Sequence, residues 1–82
     1  MTDWVTFRDL DRRAGQAKGW AFRRFKALEP ALVEGRDYRV LRPASDAGEI
    51  ASLWALDRIY PSSVNVVLLA PAVAERIASG RD

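Results

Sequence analysis

The side chains best suited to bind a charged ligand in this sequence are basic, and they concentrate in its first third. Residues 1–28 carry seven Lys or Arg and three acids, a net charge of +4, whereas residues 29–82 carry six Arg and eight acids, a net charge of −2. No acid lies between Lys18 and Leu28, although an ordinary solvent-facing helix mixes both signs. The overall charge of +2 therefore conceals a polarised molecule, which indicates a partner that carries phosphates.

Catalytic chemistry has little support in the composition. The 82 residues include no Cys and no His, which removes disulfides, thiolate sites, the commonest general base and the commonest metal ligand. Ser62 and Ser63 lack a His base, and Ser–Lys chemistry would require Lys18 or Lys26. The five Gly are scattered and form no phosphate-binding loop. We expect no enzyme activity, no metal, no cofactor and no small-molecule ligand.

Length and hydropathy favour one folded domain over residues 1–82. A hydrophobic fraction of 49% is enough for a core. The N-terminus shows no signal pattern, and the apolar run that includes Val66 to Val73 contains Pro71 and is far shorter than the ~20 residues of a membrane span. We therefore expect no membrane association, and a soluble cytoplasmic protein located at the nucleoid.

The basic residues lie on two predicted helices joined by a short turn. Thr6 and Asp9 form a capping-box pattern, with Asp in place of the usual Glu, and Gly15 suits a helix end that needs positive φ. These signals predict a first helix from about Phe7 to Ala14. Residues 16–19 form the turn, and a second helix is predicted from Trp20 to Leu28, ending near Glu29-Pro30. Two helices joined in this way are the skeleton of a helix-turn-helix.

The second helix has an apolar face and a basic face. Its predicted core face consists of Ala21, Phe22, Phe25 and Leu28, and its opposite face consists of Trp20, Arg23, Arg24, Lys26 and Ala27.

The rest of the chain predicts a small sheet and two further helices. Asp37 to Arg42 and Val64 to Leu69 have strand character, the second being apolar enough for burial on both faces. Asp46 and Glu49 fit another capping box and predict a short helix over Asp46 to Leu56. Asp57 to Tyr60 are expected to lead into a strand, and Pro61-Ser62-Ser63 to turn. Pro71 begins a last helix that extends to about Ala78.

This order predicts an α+β fold of the winged helix-turn-helix type. It comprises two N-terminal helices, a small antiparallel sheet with an enlarged wing between its strands, and a C-terminal helix. In such folds the N-terminal part of the second helix contacts base edges in the major groove. The residues that we expect to contact DNA are Lys18, Gly19, Trp20, Arg23, Arg24, Lys26, Arg12 and Arg13. Arg23 and Arg24 suit guanine edges, whereas Lys26, Arg12 and Arg13 suit phosphates.

Plainer interpretations exist for the same residues. A solvated helix surface also carries Lys and Arg, and Trp20 could fold over the turn and pack on the first helix or the sheet instead of stacking on a ligand. Trp54, with Ile50 and Leu53, is expected to pack in the core or in a dimer contact.

The quoted segments together resemble a known group of proteins. VTFRDLDRRAG, KGWAFRRFKAL, VEGRDYRVL and IYPSSVNVVLLAPAVAERIA are similar to small helix-turn-helix proteins of bacteriophages and mobile elements, including antirepressor-type (KilA-N/Bro-like) domains. The sequence departs from that pattern at Ala70, where Thr is usual, and at Val73, where Gly is usual. The resemblance implies DNA binding in a repressor-like, antirepressor-like or excisionase-like role.

The sequence thus predicts a regulator that binds duplex DNA, as a homodimer or on tandem sites. A single DNA-binding domain of 9.2 kDa offers little contact area to DNA, because single modules bury only roughly 600–1,000 Å² of protein surface. The main alternative is a protein-interaction module that uses the basic face around Trp20 on an acidic partner. An RNA-binding function is a weaker alternative, since no aromatic stacking motif is recognisable.

Overall fold

The computed structural model describes residues 4–60 and 66–79. Four helices and two strands follow one another in this part of the chain. They are α1 (Phe7–Ala14), α2 (Trp20–Leu28), β1 (Tyr38–Leu41), α3 (Ala47–Ala55), β2 (Val66–Leu69) and α4 (Pro71–Ala78). A 3-10 turn over Glu29–Ala31 continues the chain beyond α2 before the connector to β1. The predicted positions of all four helices are confirmed.

The ends of α1 follow its sequence signals. The Thr6 hydroxyl accepts a hydrogen bond from the Asp9 N–H at 3.1 Å, and the Asp9 carboxylate accepts one from the Thr6 N–H at 2.9 Å. The capping box is therefore complete, with Asp in the usual place of Glu. Gly15 ends the helix at φ +66°, in the left-handed region that a residue with a Cβ rarely adopts.

The two strands pair antiparallel, and the pairing leaves the sheet covered on both faces. Tyr38 lies opposite Leu69 and Leu41 opposite Val66, while Val5 adds an isolated bridge to Leu69. Because side chains alternate along a strand, successive residues enter two different clusters. The predicted burial of the second strand on both faces is confirmed for residues 66–69, and Val64 and Asn65 lie outside the described residues.

One cluster joins the sheet to α1, α2 and α4, and the other joins it to α3. The first is built on Leu10, Ala21, Phe25, Tyr38, Leu69, Val73, Ala74 and Ile77. The second is built on Leu41, Leu53, Ile59, Val66 and Leu68. Helices α2 and α3 therefore pack on opposite faces of the same sheet.

The structure corrects four expectations. Phe22 was predicted to be core but is 48% exposed, because it lies at the edge of the buried stripe that Ala21 and Phe25 occupy. Trp54 is 56% exposed, so it is not a core residue, although its neighbour Leu53 is. Asp46 makes no capping bond to α3, because its carboxylate accepts the Arg42 N–H at 2.9 Å instead. No strand forms over residues 57–60.

The architecture is a small α+β fold with four helices and a two-stranded antiparallel sheet in the described residues. The connection between the strands carries α3, which packs back against the sheet through Leu53. The predicted turn at Pro61-Ser62-Ser63 lies outside the described residues. Within residues 4–60 and 66–79, no helix has the length and apolar character to cross a bilayer.

The burial of α2 gives a matched pair of stability predictions. Phe25 is 3% exposed and Phe22 is 48% exposed on the same helix. We expect Phe25→Ala to lower the free energy of unfolding by about 3–5 kcal/mol, as truncation of a buried Phe generally does. Phe22→Ala should cost roughly half of the 1.5–3 kcal/mol that complete burial contributes. Urea denaturation of both variants measures this difference, and equal losses would mean that the facing of α2 is wrong.

Candidate functional site

A buried carboxylate holds α2 in place against α1. Asp11 lies in α1 and is 1% exposed. Its two oxygens accept hydrogen bonds from the backbone N–H groups of Gly19 at 3.2 Å and Ala21 at 2.8 Å. Gly19 is the N-cap residue of α2, and it has no side chain with which to cap. Asp11 therefore supplies from a neighbouring helix the acceptor that a Ser, Thr, Asp or Asn N-cap would normally provide.

Tyr60 completes the environment of this carboxylate. Its hydroxyl donates a hydrogen bond to Asp11 Oδ2 at 2.6 Å. Burial, together with this bond to an acidic group, raises the pKa of Tyr60 to about 12, so that the phenol keeps its proton at neutral pH. The ring also lies near two cations, the Arg8 guanidinium at 5.1 Å and the Lys18 ammonium at 5.2 Å from its centroid.

Residues 57–60, which we call the clasp, bind α1 along its outer side. Asp57 pairs with Arg8 at 3.1 Å and Arg12 at 2.7 Å. The hydrogen bond from Arg12 is the main cause that lowers the pKa of Asp57. Asp57 has φ +59°, a left-handed conformation that Asp tolerates better than most residues do.

The next residue of the clasp makes a second ion pair with α1. The Arg58 guanidinium lies 2.7 Å from Asp9 Oδ2 and also donates to the Trp4 carbonyl. Burial alone would raise the pKa of Asp9, but the hydrogen bonds from Arg58 and from the Thr6 backbone outweigh it and lower that pKa. The Thr6 hydroxyl in turn donates to the Arg58 carbonyl oxygen. The clasp thus neutralises several charges of α1 and fixes its N-terminal end.

The outer face of α2 differs in part from the predicted basic face. The side chains exposed along α2 are Phe22, Arg23, Lys26 and Ala27. Arg23 turns back toward the start of the helix, since a Cβ built on Gly19 would meet its Nη1 at 3.3 Å. Lys26 is exposed and pairs with Glu29 at 2.6 Å. The face therefore presents one aromatic ring and two cations, of which Lys26 is paired with an acid.

Two residues predicted on that face lie elsewhere. Arg24 is half-buried, donates from Nε to the Ile77 carbonyl oxygen at 3.1 Å and stacks at 5.4 Å from the centre of the Trp20 ring. Trp20 is also half-buried, against the first core cluster. The alternative interpretation of Trp20, as a packing residue, is the one that the structure matches. Arg24 is turned away from the outer face because it binds the C-terminal end of α4.

The other predicted contact residues lie at the ends of the two helices. Arg13 and Lys18 are exposed, and the Arg12 guanidinium is shared with Asp57. Gly19 adopts φ +94°, but its N–H is already bound to Asp11. This glycine therefore provides the conformation that the turn requires and offers no free N–H to a ligand.

Sequence reasoning did not find Asp11 or Tyr60. A signal for Asp11 was present, because α2 begins at a glycine without any capping side chain and so must find an acceptor elsewhere. No comparable signal pointed to Tyr60, which lies 49 residues from Asp11 in the chain. In residues 4–60 and 66–79 no group of His, Cys, Asp or Glu is arranged to hold a metal ion.

Comparison of the chain with protein-family models, with curated protein sequences and with solved structures gives no match.

The role of Asp11 can be tested by removing its carboxylate. Asp11→Ala would leave the Gly19 and Ala21 N–H groups and the Tyr60 hydroxyl without their acceptor. We expect a loss of about 2–4 kcal/mol in the free energy of unfolding, from the lost cap and the unsatisfied donors.

Tyr60→Phe is the matched control, because it removes one of these bonds and keeps both backbone bonds. It should cost about 1–2 kcal/mol in the same urea denaturation experiment. A loss in Asp11→Ala no greater than that in Tyr60→Phe would show that the carboxylate does not cap α2.

Proposed function

We propose that this protein binds duplex DNA through the outer face of α2 and acts as a small regulator of transcription or recombination in a phage or mobile element. The observation that carries the proposal is the fixed pairing of α1 and α2. Asp11 in the first helix holds the start of the second, and the second then presents Phe22, Arg23 and Lys26 outward. A helix held with a basic face outward is the arrangement that helix-turn-helix proteins insert into the major groove.

The charges of the two helices divide into two proposed roles. Arg23 is exposed in the N-terminal half of α2, where base contacts are usually made, and its fork matches guanine O6 and N7. Arg24 is bound to α4, so the base-reading role falls to Arg23. Arg12, Arg13, Lys18 and Lys26 are proposed as phosphate contacts. Arg12 would exchange its pairing with Asp57 for a phosphate, or keep both.

The position of α3 supports a winged arrangement. It lies in the connection between the two strands and packs on the sheet face opposite to α2, as an enlarged wing would. The two-stranded sheet and the C-terminal helix follow the two-helix unit in the order expected for that fold. We propose this assignment from element order and from the packing of the helices on the sheet.

The main test is the salt dependence of binding to duplex DNA. If four to six phosphates are neutralised per protomer, log K should fall against log salt with a slope of roughly −4 to −5. Arg23→Ala should lose about 1–3 kcal/mol for the preferred site and relax preference at one position. Arg12→Ala should weaken all sequences alike and lower the slope by about one.

Arg42→Ala is the control, since Arg42 is an exposed arginine at the end of β1, outside both helices. It removes the same charge and should leave site preference unchanged. Fluorescence anisotropy with a selected and an unrelated duplex measures all four proteins. Absence of any duplex binding at low salt, or an Arg23→Ala variant that is folded and unaltered, would contradict the proposal.

The alternative function is docking to an acidic protein surface through the same face. It gains support from Phe22, because an exposed aromatic ring beside cations is also typical of protein interfaces. The salt titration separates the two, since only the DNA-binding function requires the counterion-release slope.

We further propose that two copies act together through α3. Trp54 in α3 is 56% exposed, and Leu56 directly after α3 is 64% exposed. Leu56 lines a groove of about 260 Å³ together with Trp4, Leu53 and Leu68. Since α3 packs on the sheet face opposite to α2, pairing through α3 leaves both α2 faces available. A second copy also supplies the contact area that a single small module lacks. Because few large apolar side chains are exposed around α3, the pairing should be weak in solution and should form fully on DNA.

Trp54→Gln tests this pairing. We expect loss of cooperative binding to a duplex with two half-sites and loss of any dimer seen by sedimentation at high concentration. Val33→Gln is the control, because Val33 is 50% exposed in the connector before β1. A Trp54→Gln protein with unchanged cooperativity and unchanged mass would exclude α3 as the dimer contact.

A further inference from the structure

The aromatic ring on the outer face of α2 is half-exposed, although it makes an edge-to-face contact with Phe7. Phe22 is 48% exposed, in contrast to Phe25 one turn of the helix later, which is 3% exposed. Lys26 lies four residues after Phe22 and three after Arg23, so it neighbours both of them on the exposed surface of the helix. Lys26 also pairs with Glu29 at 2.6 Å. A large exposed apolar group on a helix that also exposes cations is poorly placed for solvent and well placed for a ligand that is both anionic and partly apolar.

A chain of ring contacts supports Phe22 from the core outward. Tyr38 and Phe25 pack edge to face with centroids 5.1 Å apart, and Phe25 contacts Phe7 at 5.3 Å. Phe7 then contacts Phe22 at 5.5 Å with the ring planes 82° apart. Edge-to-face pairs of this kind are favourable and restrict the rings that form them. The outermost ring is therefore in edge-to-face contact with a ring that itself packs on the first core cluster.

The major groove offers one apolar feature that such a ring can contact. Guanine, cytosine and adenine present donors and acceptors there, whereas thymine also presents its C5-methyl group. A phenyl ring makes no hydrogen bonds but packs well on a methyl group. The neighbouring guanidinium and ammonium groups would at the same time contact a guanine edge and a phosphate.

We propose that Phe22 is a specificity residue that contacts a thymine methyl group in the DNA site. The inference rests on the proposed DNA-binding function. It specifies in addition which base Phe22 contacts and which group of that base. It assigns to α2 a composite preference, with a thymine read by Phe22 next to a guanine read by Arg23. Phe22 would act by excluding water from the methyl group, so its contribution should not depend on salt.

The test begins with selection of bound duplexes from a random pool by the full chain. Each thymine of the selected site is then replaced by deoxyuridine, which removes only the methyl group. At one position we expect affinity to fall about fourfold, because burying one methyl-sized group is worth about 0.8 kcal/mol. Phe22→Ala should bind the selected site more weakly by at least this factor and should show no further loss with deoxyuridine at that position.

Phe22→Leu provides a second variant that keeps an apolar contact and should retain part of the thymine preference. The salt slope of both variants should match that of the unmodified protein, since no phosphate contact is removed. If the protein selects a site in which no deoxyuridine substitution weakens binding, or if Phe22→Ala and deoxyuridine act additively, the inference is overturned while DNA binding stands. If no duplex is bound, the proposed function fails as well.

Discussion

The carboxylate of Asp11 is the constraint on which the rest of the structure depends. A buried carboxylate is costly unless donors surround it, and here two backbone N–H groups and the Tyr60 hydroxyl do so. The two backbone bonds also give acceptors to N–H groups at the start of α2 that have none within the helix. The positive end of the helix dipole favours a negative charge at the same place. One side chain therefore links the first helix, the turn, the second helix and the clasp. The orientation of α2 follows from where Asp11 lies on α1.

The sheet and the clasp extend this arrangement to the whole molecule. Each strand places alternate side chains in one of two clusters, so the sheet is covered by α1, α2 and α4 on one face and by α3 on the other. The clasp pairs Asp57 with Arg8 and Arg12, and it pairs Arg58 with Asp9. Asp57 thus balances part of the positive charge on α1, and Arg58 balances the negative charge of Asp9. The exposed cations at the turn and on the outer face of α2 are Lys18, Arg23 and Lys26, and Lys26 is paired with Glu29.

The side chains of α2 divide into those that pack within the protein and those that are available to a partner. Arg24 and Trp20 support each other and the end of α4, and so contribute to packing. Arg23, Lys26 and Phe22 are left facing outward, with the ring held by its contact to Phe7. A face with two cations and an exposed aromatic ring suits a phosphate-bearing partner that also has an apolar feature. The major groove of DNA has both properties, and this is the chemical basis of the functions proposed for the protein.

Local signals in the sequence were sufficient to locate the four helices and the two strands of the described residues. Thr6, Asp9 and Gly15 determine the ends of α1 through bonds within a few residues, and Pro71 suits the first position of α4. The limits of α2 were also predicted correctly, although its cap comes from Asp11. Only the tertiary structure decided whether residues at the border between the buried and the exposed face of a helix are themselves buried. Phe22 and Arg24 exchanged their predicted environments, because a carbonyl of α4 and the Trp20 ring hold Arg24 inward. Asp11 and Tyr60 are likewise joined across 49 residues. Such contacts leave no periodic pattern in the sequence, since their partners are brought together only when the helices pack.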